Sequence, residues 1–388
     1  MSVSAPRRLL VAIDEMEVGG SPRQIVHLLG ALDRRQWAPE LVYFRSESFL
    51  VGELRRLEVP VHYLPKRRAL DLRFLRDYRE LLRRGRYDLV HAFSITAELW
   101  SLVALRSFAG APPLVSSLRN LGLDASRWQW RLKRLVLAGS AATIANSRAA
   151  ARTASELAAW PESRIAVIGN GSPEPPPMDA NARARVRREL GVPPDRRLGL
   201  FVGRLSPVKN LPGLLTALAL MPAQDRPWMA VAGDGPESAR LLELRTQLDL
   251  AQDVHFLGER ADATRLMQAS DFLVLCSWQE GLSNALIEAM LAGCPVIATA
   301  VGGNVELVEH ARNGLLVPVD DPASLAEAIG QLCSDEPLRR TLAQQAQQSA
   351  RARHSTLALA GATEAVYERA LRAGRRKLPE ARPTEVRQ

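Results

Sequence analysis

The chain has 388 residues, 47% hydrophobic and 24% charged, with a formal net charge of +9, an ordinary globular balance with length for about two domains. No apolar run approaches the roughly 20 residues of a membrane span, and the N-terminal "LLVAIDEMEVGG" meets Asp14 and Glu15 too early for a secretory signal, so a cytoplasmic protein is expected. Its three cysteines, Cys276, Cys294 and Cys333, have neither metal-ligand spacing nor an even count, which predicts buried free thiols.

In chain order, the first half offers short apolar or β-branched runs at "RLLVAID", "APELVYF", "PVHYLP", "YDLVHAF", "PLVSSL" and "AATIANS", with longer amphipathic segments between them. That alternation is the pattern of a parallel sheet with helices on both faces, where ligands bind at the carboxyl ends of the strands. After the first run comes "DEMEVGGSPRQIV", where Gly19 and Gly20 precede a helix. The pair is either a turn or a place where backbone approaches a phosphate or sugar closely. Asp14 at the same strand end, His91 in "YDLVHAF" and Asn120 in "SSLRNLGLD" are further strand-end candidates.

Charge is unevenly placed: residues 1–175 hold 26 Lys+Arg against 17 Asp+Glu, and the remainder holds 25 of each sign. Much of the excess lies in "KRRALDLRFLRDYRELLRRGR", where Arg alternates with Leu, Phe and Tyr at helical spacing. This suits an interfacial helix meeting anionic lipid, or equally a solvated Arg-rich helix face. No zinc-finger, helix-turn-helix or aromatic RNA-binding signature accompanies the charge, so nucleic acid is not the expected partner.

The Pro-rich "NGSPEPPPMDANARARV" supplies neither strand nor helix hydrogen bonds and marks a linker, with a boundary near residue 175. The second half then repeats the scheme with "LGLFVGRL", "WMAVAGDG", "VHFLGE", "FLVLCSW", "PVIATA" and "GLLVPV", and with helices predicted over 236–249, 284–292 and 322–333. Two doubly wound α/β domains are therefore expected, over 1–175 and 176–355. An amphipathic segment over 356–374 and a polar tail over 375–388 follow them.

Within "LFVGRLSPVKN", Arg204 and Lys209 flank a Pro207 turn directly after Gly203. A bidentate guanidinium and a compact ammonium at one strand end suit a diphosphate and the charge that builds on it as it departs, although surface loop charges would look the same. No D-x-D triplet occurs to hold a metal-bound diphosphate, so no metal is expected. "VAGDGPE" with Gly233, and "FLGERAD" with Arg260, are either nucleotide-lining loops or generic turns.

The stretch "SWQEGLSNALIEAMLAGCPVIAT" sets Glu280 and Glu288 eight residues apart. On one continuous helix they would stand about 12 Å apart, too far for a glycosidase pair of about 5 to 9.5 Å. The segment instead predicts a strand, a loop and a helix starting near Ser283. Two acids would then hold the ends of an extended ligand, with the N–H groups of Gly281, Leu282, Ser283 and Asn284 aimed at phosphate between them. A helix-capping Glu280 with a solvated Glu288 is the alternative.

The order G-R-x-x-P-x-K-N, G-D-G-P, L-G-x-R, E-G-L-S-N-x-L-I-E-A-M-x-x-G-x-P-V-I-A-T and V-G-G-N-x-E-L-V resembles the retaining glycosyltransferases of family 4 across most of the second half. The likeness is looser in the first half, at "VGGSPRQ", "YDLVHAF", "AATIANS" with Ser147, and "VIGNG" with Asn170 and Gly171. The resemblance implies a GT-B fold: two Rossmann-like domains facing a cleft, a final helix crossing back to the first, and a nucleotide-sugar co-substrate with no cofactor. It implies Glu288 on the donor ribose, Glu280 on the transferred sugar and Arg204 with Lys209 on the diphosphate. Gly281 to Asn284 would supply backbone donors, Gly203, Gly233 and Arg260 would line the donor, and Gly19 with Gly20 would close the cleft. The leaving diphosphate would assist the incoming hydroxyl on the same face, without a protein nucleophile.

His91 matches the first station of the family's H-x-H pattern and Phe93 replaces the second, so His91 is either catalytic or a satisfied core histidine. The basic first domain points to a lipid-linked or polysaccharide glycan acceptor, with the protein peripheral at an anionic inner-membrane face. Rival activities on the same scaffold are a nucleotide-sugar 2-epimerase and a non-catalytic nucleotide-sugar binding module. A dinucleotide dehydrogenase is disfavoured because no G-x-G-x-x-G follows the first strand.

Overall fold

The structure, a computed structural model, describes residues 5–17, 19–119 and 126–375. Asn120 and the tail beyond residue 375 lie outside the described residues. The chain divides into two compact units, one ending at Ile168 and resuming at Leu359, the other spanning Gly169–Ala358.

The first unit holds a seven-stranded sheet with strands β1 Arg7–Ile13, β2 Trp37–Tyr43, β3 Val61–Tyr63, β4 Leu89–Ala92, β5 Leu114–Leu118, β6 Ala142–Ala145 and β7 Ile165–Val167, in the order β3-β2-β1-β4-β5-β6-β7. All its pairings are parallel. Strands covered on both faces read as continuous apolar runs, which is why "LLVA" at Leu9–Ala12 is wholly buried. The sequence pattern predicts six strands here. The seventh, β7, is a three-residue edge strand, too short to show a period of its own.

The second unit holds β8 Leu198–Val202, β9 Trp228–Ala232, β10 Val254–Gly258, β11 Phe272–Leu275, β12 Val296–Thr299 and β13 Leu315–Val317, ordered β10-β9-β8-β11-β12-β13 and parallel throughout. Each is the core of a predicted run. The predicted helices appear as Ser238–Gln247, Asn284–Leu291 and Pro322–Ser334. Strand order reverses between β1 and β4 in one sheet and between β8 and β11 in the other, so each unit has a switch point where crossovers leave in opposite directions and open a crevice at the carboxyl ends.

The last helix, Thr356–Arg375, joins the first unit, where Leu359, Ala360, Val366, Tyr367 and Ala370 are buried in the core beside β1 and β2. Glu364 accepts from the Asp33 backbone N–H at 3.0 Å, and Glu368 pairs with Arg7. Among the described residues no helix is long and apolar enough to cross a membrane. All three cysteines are free thiols, Cys276 and Cys294 buried and Cys333 half-buried.

Candidate functional site

At the carboxyl ends of β8, β9 and β10 the three following loops are laced together by backbone. Gly203 N–H donates to Ala232 O at 3.0 Å, Leu205 N–H to Asp234 O at 2.9 Å, and Gly233 N–H to Gly258 O at 2.8 Å. Gly233 adopts φ +143, and a Cβ there would stand 1.9 Å from the Gly203 carbonyl oxygen, so only glycine lets the two loops touch. Arg204 emerges exposed from this platform. The chain then makes a 3-10 turn over Pro207–Lys209 and reverses at Asn210, whose left-handed φ of 49 suits Asn and whose side chain caps the helix Leu211–Leu220. Arg260, at the end of the β10 loop, is exposed and forms a bidentate pair with Asp262, both contacts at 2.8 Å.

The loop after β11 brings Glu280 to Lys209: Lys209 Nζ lies 2.5 Å from Glu280 Oε1, with both side chains largely enclosed. Ser277 Oγ donates to the same oxygen at 2.7 Å. Among the described residues no donor reaches Oε2, which is therefore the oxygen available to a further hydroxyl. The backbone of this loop is clamped from two sides. Trp278 N–H donates to Val208 O at 2.8 Å, and the double glycine Gly302–Gly303 fits so closely that a Cβ on either would meet Glu280 O at 1.8 Å or Gly281 O at 1.9 Å. Gly302 also needs its left-handed φ of 50. In the sequence these two glycines stand only as part of the V-G-G-N-x-E-L-V motif. Their partner lies on a different loop, so spacing alone gave no signal of the cradle.

Ser283 caps the helix Asn284–Leu291, accepting from Leu286 N–H at 3.3 Å. Asn284 and Glu288 stand four residues apart on it and so share a face, about 6 Å apart along the axis. Asn170 Nδ2 donates to Asn284 Oδ1 at 2.8 Å and to Leu282 O at 3.4 Å, while the Asn170 carbonyl bonds His354 Nδ1 at 3.0 Å. The start of the helix is thus held from behind by a residue noted in the sequence only as a motif station. The second unit therefore gathers two carboxylates, two cations and a helix N-terminus at one sheet edge, a set able to bind a polar ligand carrying a diphosphate.

In the first unit, Gly19 precedes the helix Gly20–Ala31 in an extended conformation (φ −171), and a Cβ on it would meet only ordinary contacts, the nearest Pro22 Cδ at 3.7 Å. The fold itself makes no demand for glycine at that position. Asp14 is half-buried just past β1, its carbonyl accepting from Phe44 N–H at 3.1 Å. His91 is fully buried within β4, with Nδ1 2.7 Å from the Tyr367 hydroxyl and Nε2 2.8 Å from Ser117 Oγ. Both ring nitrogens are occupied by the core. Burial, and next the nearby Arg119, hold its pKa well below the ordinary histidine range. Beneath Ser117, the buried Lys133 donates to both Glu98 oxygens at 2.7 and 2.6 Å and to Ser117 O at 2.7 Å. Arg119, singled out by no motif, has its guanidinium carbon 4.9 Å from the centre of the Phe93 ring.

A family model described as "Glycosyl transferases group 1" matches residues 182–349, and one described as "Glycosyltransferase Family 4" matches residues 18–173. A D-inositol 3-phosphate glycosyltransferase of Xylanimonas cellulosilytica is 30% identical over 69% of this chain and 68% of its own length. An N-acetyl-alpha-D-glucosaminyl L-malate synthase of Bacillus anthracis is 29% identical over 48% of this chain and 49% of its own. Matches to the first such curated relatives span only about half to two thirds of their length, 49%, 66% and 55%. Anabaena HepE, crystallised with UDP, superposes with a TM-score of 0.83 at 26% identity, over 93% of this chain and 99% of HepE. The lipopolysaccharide glycosyltransferase WaaG, 18% identical with a TM-score of 0.69 over 92% of this chain and 99% of its own, shares the fold. These likenesses assign the two parallel-sheet units to the GT-B fold, and the chain belongs to the family 4, or group 1, glycosyltransferases.

Proposed function

We propose that this protein is a retaining, metal-independent glycosyltransferase that moves a sugar from a nucleotide donor to a hydroxyl on an anionic glycan or lipid-linked acceptor. The observation that carries the proposal is Glu280, fixed by Lys209, Ser277 and the Gly302–Gly303 cradle at the carboxyl end of β11, with Glu288 on the helix that follows. Glu280 Oε2 accepts from a hydroxyl of the transferred sugar, and Glu288 binds the ribose. HepE was crystallised with UDP and with UDP-glucose, which supports a uridine donor here.

In the reaction, the bond from the anomeric carbon to the diphosphate oxygen breaks as the acceptor hydroxyl bonds to that carbon from the same face. The hydroxyl proton passes to the departing phosphate. Arg204 and Lys209 neutralise the charge that accumulates there, a stabilisation greater in the transition state than in the ground state. The anionic acceptor is favoured by the basic first half of the chain and by the inositol phosphate and malate in the relatives' names.

Thermal stabilisation by UDP, GDP, ADP and CMP, with magnesium or with EDTA, tests the donor half. A true donor nucleotide at 100 times its Kd adds about 2.7 kcal/mol. UDP should stabilise the wild type equally in EDTA, and Glu288→Ala should weaken it roughly tenfold or more. Stabilisation that needs magnesium, or that survives unchanged in Glu288→Ala, overturns the assignment. Release of UDP from UDP-glucose, lost in Glu280→Gln, separates an enzyme from a binding module.

A further inference from the structure

The chain passes between its two units twice, from Ile168 to Gly169 and from Ala358 to Leu359. Within the second unit the residues beside these passages are fastened to each other. Ser172 N–H donates to His354 O at 2.9 Å, and the Asn170 carbonyl bonds His354 Nδ1 at 3.0 Å. Gly169 runs so close to the His354 ring that a Cβ on it would meet Cε1 at 2.6 Å, and the same Cβ would stand 3.5 Å from Leu282 Cδ2. The buried Asn170 therefore has a fixed backbone, and its side chain reaches the loop before the helix Asn284–Leu291. Nδ2 donates there to Asn284 Oδ1 at 2.8 Å and to Leu282 O at 3.4 Å.

Chemistry sets the polarity of this contact. A backbone carbonyl only accepts, so Asn170 must turn its NH2 toward Leu282 O, and Asn284 must then answer with its oxygen. The Leu282–Ser283 peptide is planar and trans, so its N–H is antiparallel to its C=O. Holding Leu282 O toward Asn170 thus aims the Ser283 N–H away from Asn170. Among the described residues nothing accepts from that N–H, nor from those of Gly281 and Leu282. Unpaired N–H groups at a helix start are a receptor for anionic oxygen.

We infer that Asn170 is a positioning residue of the reaction: it holds the Leu282 carbonyl and the Asn284 amide so that the Ser283 N–H is presented to the donor's diphosphate. The inference rests on the glycosyltransferase reading above and adds to it a residue that acts through the donor loop. Its support is the fastening of the two passages at His354, which leaves the Asn170 backbone no freedom to follow the loop if the loop drifts.

The isosteric Asn170→Asp tests it, because it sets an oxygen against Leu282 O where an NH2 had donated and leaves the size unchanged. A carboxylate facing two acceptors keeps its proton to a higher pH than usual, and the protonated form can donate again. UDP binding to the full chain is titrated by calorimetry at pH 8 and pH 5.5 for wild type and Asn170→Asp, with urea melts alongside. His354, the titratable group touching Asn170, is common to both proteins and burial holds its pKa low, so the difference between them reports position 170. At pH 8 the variant should bind UDP roughly tenfold more weakly than wild type, and at pH 5.5 the gap should close to about twofold. UDP bound alike at pH 8, or a deficit that stays the same at pH 5.5, overturns the inference while the donor reading stands. If the wild type binds none of UDP, GDP, ADP and CMP, the donor reading itself fails and takes the inference with it. Should Asn170→Asp melt early at pH 8, Asn170→Ser is titrated in its place: it shortens the reach without adding charge and should weaken UDP by a similar factor at both pH values, and wild-type affinity in that variant overturns the inference.

Discussion

His91 shows how one residue can be visible in a sequence while its task is not. Its place after an apolar run is shared by catalytic and core histidines, and its contacts here are Tyr367 and Ser117, both internal. Those contacts have a pH consequence. The folded state holds the imidazole neutral, because burial and Arg119 depress its pKa, whereas the unfolded chain takes up a proton below about 6.5. Protons therefore favour unfolding. The His91 contribution is complete above about pH 6.5 and erodes as pH falls below it, by up to about 1.4 kcal/mol per unit. Urea melts at pH 7.5 and 5.5 should show this loss in the wild type and a shallower one in His91→Gln, which keeps polar contacts but does not titrate. Equal losses in the two proteins would assign the acid sensitivity elsewhere. Arg119 is comparable: its contact with the Phe93 ring joins the ends of two different strands, which spacing along the chain does not encode.

At the scale of elements, the strands were legible because parallel strands buried on both faces write themselves as apolar runs, and all six of the second sheet fall within the predicted segments. Edge strand β7 was not among the predicted segments, although β3, the three-residue strand at the opposite edge, was. The acids and cations of the candidate site were legible as residue types at strand ends. What periodicity could not carry was which loops touch: Lys209 meets Glu280 across 71 positions of chain. The Gly302–Gly303 cradle is the clearest case, and it is testable. Gly302→Ala places a Cβ 1.8 Å from the Glu280 carbonyl at a φ of 50, so backbone must shift. We expect a loss of about 1–3 kcal/mol in denaturant unfolding and, because Glu280 moves with its peptide, weaker UDP-glucose binding. Gly330→Ala, where a Cβ meets nothing within 4 Å in the helix Pro322–Ser334, should be neutral or stabilising by about 0.5–1 kcal/mol. Similar behaviour of the two variants would deny the cradle its role.

For the whole molecule the charge asymmetry is the feature that neither sheet explains. The helix Leu72–Gly85 buries Phe74, Tyr78 and Leu82 and turns Arg73, Arg76, Arg83 and Arg84 outward, while Leu70 and Leu72 at its start are 86% and 81% exposed. Part of that charge is spent locally, on the Arg76–Asp77 and Arg84–Glu80 pairs. Exposed leucines beside unspent arginines are the composition of a surface that settles on anionic lipid, each basic residue contributing about 1 kcal/mol near the headgroups. Under the proposed function, such binding would bring the protein to a lipid-linked acceptor through a surface helix. Co-sedimentation with vesicles containing phosphatidylglycerol should be strong at low salt and fade toward 1 M, where the screening length falls to about 3 Å. Neutral phosphatidylcholine vesicles should bind little. Arg73→Glu with Arg76→Glu should lower binding to the anionic vesicles, and Leu70→Ser with Leu72→Ser should leave a residue of binding that salt removes completely. Failure to bind anionic vesicles at low salt would mean that the basic face is only a solvated helix surface, and the acceptor would then have to be sought among soluble anionic glycans.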